Sequence, residues 1–271
     1  MEQNNSGNPY QAPSVEIVSA APQGDAAFIA GGKAVPAGNA FRWIASGWSL
    51  FVQSPLIWIV NIVILYIMIF AVQLIPFLGG IIANVFWPVF SGGLMMGAHA
   101  QRTGRPLEVG DLFAGFKDKA GPLMTVGALY AVAWIVLMVF AGILAVTILG
   151  ASGAIGALLS GNQAALMGMV GGAGFGLVFV GLLAFVGFIL IGLAFWFAPA
   201  LVVLHDMSPS LAIRTSFFAG IKNIVPIIIF VLIAMVLVPI GFIALIVGLL
   251  VVLPLLFAAS YAAYRDIFLG E

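Results

Sequence analysis

The chain has no cysteine. That absence excludes a disulfide framework, a thiolate metal site and a cysteine nucleophile. Charge is scarce as well. Asp, Glu, Lys and Arg make up 7% of the residues, where soluble domains carry about 25%. Only 2 histidines are present. The formal net charge is zero, so no overall field attracts nucleic acid, and none is expected as a partner. Apolar side chains are abundant: 63% of the 271 residues are hydrophobic, and the mean hydropathy is +1.24. This composition excludes a soluble globular domain and also whole-chain disorder. It predicts an all-α fold, a polytopic transmembrane helix bundle.

The charges that exist are gathered into short segments. No Asp, Glu, Lys or Arg occurs in the 59 residues between Arg42 and Arg102, the 86 between Lys119 and Asp206, or the 42 between Lys222 and Arg265. About 20 apolar residues span a bilayer. The three uncharged runs divide into six spans, at about 55–75, 79–98, 123–149, 170–198, 224–238 and 242–261. Turns are expected at Pro76 with Gly79-Gly80, across Gly150–Met169, and at Pro239-Ile240-Gly241. The fifth span is short on this division. Gly150–Met169 is Gly, Ala and Ser-rich and reads as an outer loop, open to a short re-entrant or interfacial helix.

All nine basic residues then fall on one side: Lys33, Arg42, Arg102, Arg105, Lys117, Lys119, Arg214, Lys222 and Arg265. By the positive-inside rule that side is cytoplasmic, with both termini inside a bacterial inner membrane. Residues 1–39 are polar and rich in Gly, Pro and Ala, with no basic stretch followed by an apolar core. They read as a disordered cytoplasmic tail rather than a signal peptide. Residues 40–271 form the membrane domain.

An internal repeat is present. Leu112-Phe113-Ala114-Gly115-Phe116-Lys117 precedes Pro122 and a span, and Phe217-Phe218-Ala219-Gly220-Ile221-Lys222 precedes Pro226 and a span. Leu50-Phe51-Val52 before Pro55 is a weaker copy. The unit ends also correspond: His99 with Arg102, His205-Asp206, and Tyr264-Arg265-Asp266. The pattern predicts three helix hairpins, each preceded by an interfacial helix. In 41–53, Phe41, Ile44, Trp48 and Phe51 make an apolar stripe opposite Arg42, Ser46, Ser49 and Gln53. Ser208-Pro209 has the form of a helix start. Trp43, Trp48, Trp58, Trp196 and Tyr261 fall where an interfacial aromatic belt is expected.

Gly47-Trp48-x-x-Phe51-x-x-x-Pro55-x-x-Trp58 resembles the opening of an uncharacterised, proteobacterial-type family of multi-spanning inner-membrane proteins. Ile75-Pro76-Phe77-Leu78-Gly79, Pro88-Val89-Phe90-x-Gly92-Gly93-Leu94 and Leu107–Phe116, with its Leu-Phe-Ala-Gly-Phe loop, carry the same resemblance. It is good over roughly 41–129 and general beyond. A looser likeness extends to bacterial membrane domains of repeated hairpins, including one fused to glycerophosphodiester phosphodiesterases. The resemblance implies an inner-membrane location and brings no reaction, cofactor or site residue.

Function therefore rests on the residues. Among the charged residues none lies inside an expected span, which weighs against a proton-coupled transporter. Asn61, Gln73 and Asn84 either line a solute path or bond across helices. His99 and His205, with Asp111, Asp206 or Asp266, are the candidates for acid–base or metal chemistry. No His-Glu-x-x-His spacing is present, so no metal or cofactor is expected and an enzyme is not the favoured reading. Gly93-x-x-x-Gly97 and Gly168-x-x-x-Gly172-x-x-x-Gly176 are small-residue faces, for packing within the bundle or for a homo-oligomer or membrane-protein partner. The candidate cytoplasmic-face contacts are His99, Arg102, Arg105, Asp111, Lys117, His205, Asp206, Arg214, Lys222, Arg265 and Asp266. The favoured function is a non-enzymatic module that binds membrane lipid or a protein partner. A passive channel or small-solute or lipid transporter is the alternative, and a lipid-active enzyme the third reading.

The orientation has a direct test. Green fluorescent protein fused after Glu271 is expected to fluoresce, and alkaline phosphatase fused there to stay inactive. The reverse result overturns the assignment of the basic side to the cytoplasm.

Overall fold

The computed structural model describes residues 27–271, except 77, 118, 152, 154, 155, 157, 158, 162 and 244–246; of 163–172 only the backbone is described. The expected tail residues 1–26 lie outside the described residues. Among those described, the chain is helical and contains no strand. In order come α1 (Asn39–Gln53), α2 (Pro55–Gln73), α3 (Gly79–Arg102), a 3₁₀ helix (Val109–Phe116), α4 (Ala120–Ala151), α5 (Gln163–Trp196), α6 (Ala198–His205), α7 (Pro209–Lys222), α8 (Ile224–Ile243) and α9 (Leu249–Phe268). Six helices among the described residues are long and apolar enough to cross a membrane: α2, α3, α4, α5 continued by α6, α8 and α9. Even the 19-residue α2 reaches about 29 Å at 1.5 Å per residue. Apolar surroundings leave the backbone no partner but itself, so helices are the form these runs take.

That same constraint extends two helices beyond their expected ends. The Gly-, Ala- and Ser-rich stretch 150–169 reads as a loop, but α4 runs to Ala151 and α5 begins at Gln163. Alanine favours the helix, and glycine costs only about 1 kcal/mol there. The turn expected at Pro239-Ile240-Gly241 is also displaced. Pro239 lies inside α8, which has 20 residues and is not short, and the connection to α9 comes after Ile243. Proline forfeits one ladder bond without ending this helix. Gly241 instead lets α8 approach α9: a Cβ there meets the Gly248 carbonyl carbon at 3.1 Å.

The fourth span bends between α5 and α6. Pro199 lies at the start of α6. The buried Ser216 hydroxyl, from α7, donates to the Leu193 carbonyl at 2.7 Å and accepts the Phe197 N–H at 3.1 Å. It thus bridges the donor and acceptor that an unbroken helix joins directly. Ser208 and Pro209 do begin α7, but the Ser208 side chain makes no cap bond.

Helix α1 shows a shifted face. Ala40, Trp43, Gly47, Leu50 and Phe51 are buried, while Phe41 and Trp48 from the expected apolar stripe are 64% and 48% exposed. The protein-facing side is one residue out of step because Gly47 lets α1 lie against α9; a Cβ there meets the Ala259 backbone nitrogen at 2.6 Å. The aromatic belt changes likewise. Trp43, Trp58 and Tyr261 are buried, so of that set Trp48 is the side chain placed outward. Trp58 donates to the Gln101 side chain at 3.1 Å, and Gln101 donates to the Leu50 carbonyl at 2.8 Å. These bonds join α1 and α2 to α3.

The glycines of the repeated segments also sit in close contacts. A Cβ on Gly115 meets the Val89 carbonyl on α3, and one on Gly220 meets Leu193 on α5. Gly93 and Gly97 face Asp111, Leu112 and Leu107. That side of α3 is filled by its own chain and is not free for a second copy. Gly176 packs on Ile148 of α4, whereas the side-chain surroundings of Gly168 and Gly172 lie outside the described residues. Helices α4 and α5 pack together through Trp134 and Phe188 at 5.6 Å, with Ile135, Val139, Phe140 and Ile143 exposed.

Residues 27–38 of the expected tail are held in place against the bundle. Ile29 and Lys33 N–H groups donate to the Phe268 and Ile267 carbonyls, both at 2.8 Å, which caps the end of α9. Asn223 accepts from Val35 N–H at 2.8 Å and donates to the Lys33 carbonyl at 2.9 Å.

Overpacking at a close helix contact costs about 1–3 kcal/mol. Gly47→Val is therefore expected to lower the melting temperature in detergent, while Gly142→Ala, which meets nothing within 4 Å, leaves it unchanged or raises it slightly. Equal melting temperatures for the two variants contradict the α1–α9 contact.

Candidate functional site

The end of the bundle that carries the basic residues holds a cavity of about 360 Å³. Its lining includes Arg42, Trp43 and Ser46 from α1, Arg102 at the end of α3, Ala262, Arg265 and Asp266 from α9, and Glu271. Arg42 comes there because Trp43, one residue on, is buried against α9. Arg102 and Arg265 come there because each closes an apolar helix at the same end.

Asp266 organises the wall. Asp266 is buried, 7% exposed, and its carboxylate accepts from Asn39 Nδ2 at 2.6 Å and from Trp43 Nε1 at 2.8 Å. Lys33 adds an ion pair at 3.7 Å. A buried carboxylate with this many donors is well compensated. Glu271 is paired with Arg265, whose guanidinium also lies 6.0 Å from the centre of the Tyr261 ring. The carboxylates are thus already matched. Among the described residues Arg42 makes only a 3.5 Å bond to the neutral Asn39 side chain, and Arg102 forms no ion pair. The lining therefore has an excess of guanidinium and a place for an anion. The planar guanidinium fork suits phosphate or carboxylate oxygens.

Other expected contacts lie apart from this cavity. Arg105 pairs with Asp111 at 2.6 Å and with Glu108 at 3.7 Å. Its hydrogen bond to Asp111 raises the guanidinium above its ordinary range. The buried Asp111 also accepts the Glu108 N–H at 2.8 Å, fixing the start of the 3₁₀ helix. Asp206, at φ 57°, ends α6 and pairs with Lys119. Lys222 donates to the Gly31 and Gly32 carbonyls at 3.1 and 3.3 Å. Arg214 lies 5.8 Å from the Phe218 ring centre, and Lys117 is exposed.

The two histidines meet tyrosines. His99 Nδ1 is 3.0 Å from Tyr261 OH, and His205 Nε2 is hydrogen-bonded to Tyr264 OH. The Tyr261 and Tyr264 rings stack at 6.0 Å, and Phe28 lies 4.1 Å from the His205 ring. Among the described residues no three His, Asp or Glu side chains gather as a metal site. Asn61 is buried and donates to the Glu108 carbonyl at 3.2 Å, and Asn84 donates to Gly80 on its own helix at 2.7 Å. The Asn61 bond joins α2 to the segment before the 3₁₀ helix, and the Asn84 bond stays within α3.

The sequence brought Arg102, Arg265 and Asp266 to attention by position. It missed Arg42 as a partner of theirs, along with Asn39, Trp43 and Glu271. The one available signal was the cluster of charge around 265–271.

The chain is 25% identical over 193 residues to a probable inner membrane protein of Burkholderia thailandensis, covering 69% of this chain and 68% of that protein. No family model matches, and no solved structure matches. With six apolar helices, this likeness makes the chain an integral, multi-pass membrane protein.

Asp266→Ala removes the acceptor of two buried donors, each costing about 1–3 kcal/mol when left unpaired. It is expected to lower the unfolding midpoint in detergent far more than Arg214→Gln. Similar midpoints for the two variants show that the Asp266 cluster does not hold α1 to α9.

Proposed function

We propose that the protein is a non-enzymatic inner-membrane module that binds the phosphate of an anionic lipid at its basic end. The observation that carries this reading is the convergence of Arg42, Arg102 and Arg265 on one cavity, at the ends of apolar helices where lipid headgroups lie. The exposed aromatic side of α1, Phe41 and Trp48, stands beside it and supports an interfacial position for that helix.

The architecture fits this reading. Three hairpins, α2–α3, α4 to α6 and α8–α9, are each preceded by a short segment: α1, the 3₁₀ helix and α7. Each short segment lies on the second span of the unit before it, and α1 closes the ring on α9. Gly115 against Val89, Gly220 against Leu193 and Gly47 against Ala259 support this arrangement. The basic end then faces the cytoplasm by charge. Proteins that recognise the same face remain a second class of partner.

A basic residue near an anionic surface contributes about 1 kcal/mol, or roughly fivefold in affinity. Protein purified in nanodiscs of phosphatidylcholine with 20% phosphatidylglycerol is expected to enrich phosphatidylglycerol around itself, read by native mass spectrometry. Arg42→Gln and Arg102→Gln each reduce that enrichment. Equal retention of both lipids by the unaltered protein sinks the proposal. Solute flux through liposomes that depends on the protein supports the channel alternative.

A further inference from the structure

A second cavity, of about 290 Å³, lies among the second spans of the three hairpins: α3, the α5–α6 bend and α9, with Tyr66 reaching it from α2. No formal charge lines it. Its walls include Tyr66, Trp87, Ser91, Trp196, Phe257 and Ser260. Trp87 and Phe257 rings are 5.7 Å apart, so one wall is a pair of rings. Ser260 donates to the Leu256 carbonyl at 2.9 Å and is satisfied. The others are different. Among the described residues no hydrogen bond involves Tyr66 OH, Trp87 Nε1, Ser91 Oγ or Trp196 Nε1. Four residues that carry donor groups therefore line one uncharged, aromatic space inside a membrane domain. Unpaired donors in hydrocarbon are costly, and indole N–H groups cannot accept. What relieves them is an acceptor. Desolvation excludes an anion where no cation stands opposite. The walls favour a flat ring over a flexible chain.

We infer that this cavity binds a neutral, membrane-dissolved ring compound that carries carbonyl acceptors, the quinone class. Ring and carbonyls occupy the space between Trp87, Trp196, Tyr66 and Ser91, and an apolar tail leaves along Tyr66, which is 40% exposed. On the basic side the His99–Tyr261 pair lies one helical turn beyond Met95 of the cavity wall. This site is independent of the arginine cavity and of any reading of that cavity.

The test uses the full chain in phosphatidylcholine nanodiscs and a radiolabelled decyl-benzoquinone as probe. Saturable binding above that of empty nanodiscs is expected. Trp87→Phe and Trp196→Phe keep an aromatic wall and remove one donor each. Each is expected to weaken binding roughly twofold to tenfold, as loss of one hydrogen bond does. Ser91→Leu fills the space and abolishes binding; if it does not fold, the tryptophan variants still decide. Purely non-saturable partition, unchanged affinity in both tryptophan variants, or equal competition by decane, which has no acceptor, overturns the inference.

Discussion

Asp266 ties the two ends of the described chain together. Its carboxylate is reached by Asn39 and Trp43, 227 and 223 residues earlier in sequence, and by Lys33. Those contacts set α1 against α9 and lead residues 27–38 across the end of α9. Arg42 and Arg265, the immediate neighbours of Trp43 and Asp266, then face a common space. A buried carboxylate is tolerated only where donors surround it, so this cluster is all-or-none in its geometry. The guanidinium surplus of the cavity follows from it: the acids nearest the arginines are already engaged.

Close packing supplies the rest of the frame. Helices in an apolar medium gain little from burying apolar surface against one another, so they associate through small residues and hydrogen bonds. Gly47, Gly115 and Gly220 bring α1, the 3₁₀ helix and α7 onto α9, α3 and α5, and Gln101 and Ser216 join helices through side-chain bonds. Ser216 is notable because it replaces a helix bond at Phe197 and so directs α6, and with it His205, toward Tyr264. The bend and the histidine's position have a common cause. The same bend places Trp196 and Pro199 in the uncharged central cavity.

The sequence was legible where local rules apply. Uncharged runs located the six apolar helices, and the rhyme of His99, His205 and Tyr264 marked chain segments that do meet. Legibility failed at Pro239 and at 150–169, where proline and glycine suggested breaks that the helices pass through or beyond. On α1 the expected stripe divides: Phe41 and Trp48 are exposed while Phe51 is buried, and Gly47 marks the closest approach to α9. Trp43 and Trp58 read as belt residues, but each indole has a buried acceptor, Asp266 and Gln101, that no local pattern reveals.

Sequence alone determined that this protein is helical, spans a membrane and keeps its basic residues at one end. Those properties follow from composition and from the backbone's need to satisfy its own hydrogen bonds in apolar surroundings. Only the tertiary structure decided which glycines face inward, which arginines share a cavity, and which polar groups are paired or left open. Those outcomes depend on contacts between residues far apart in the chain, and such contacts are fixed by shape and by the pairing of buried polar groups rather than by any local pattern.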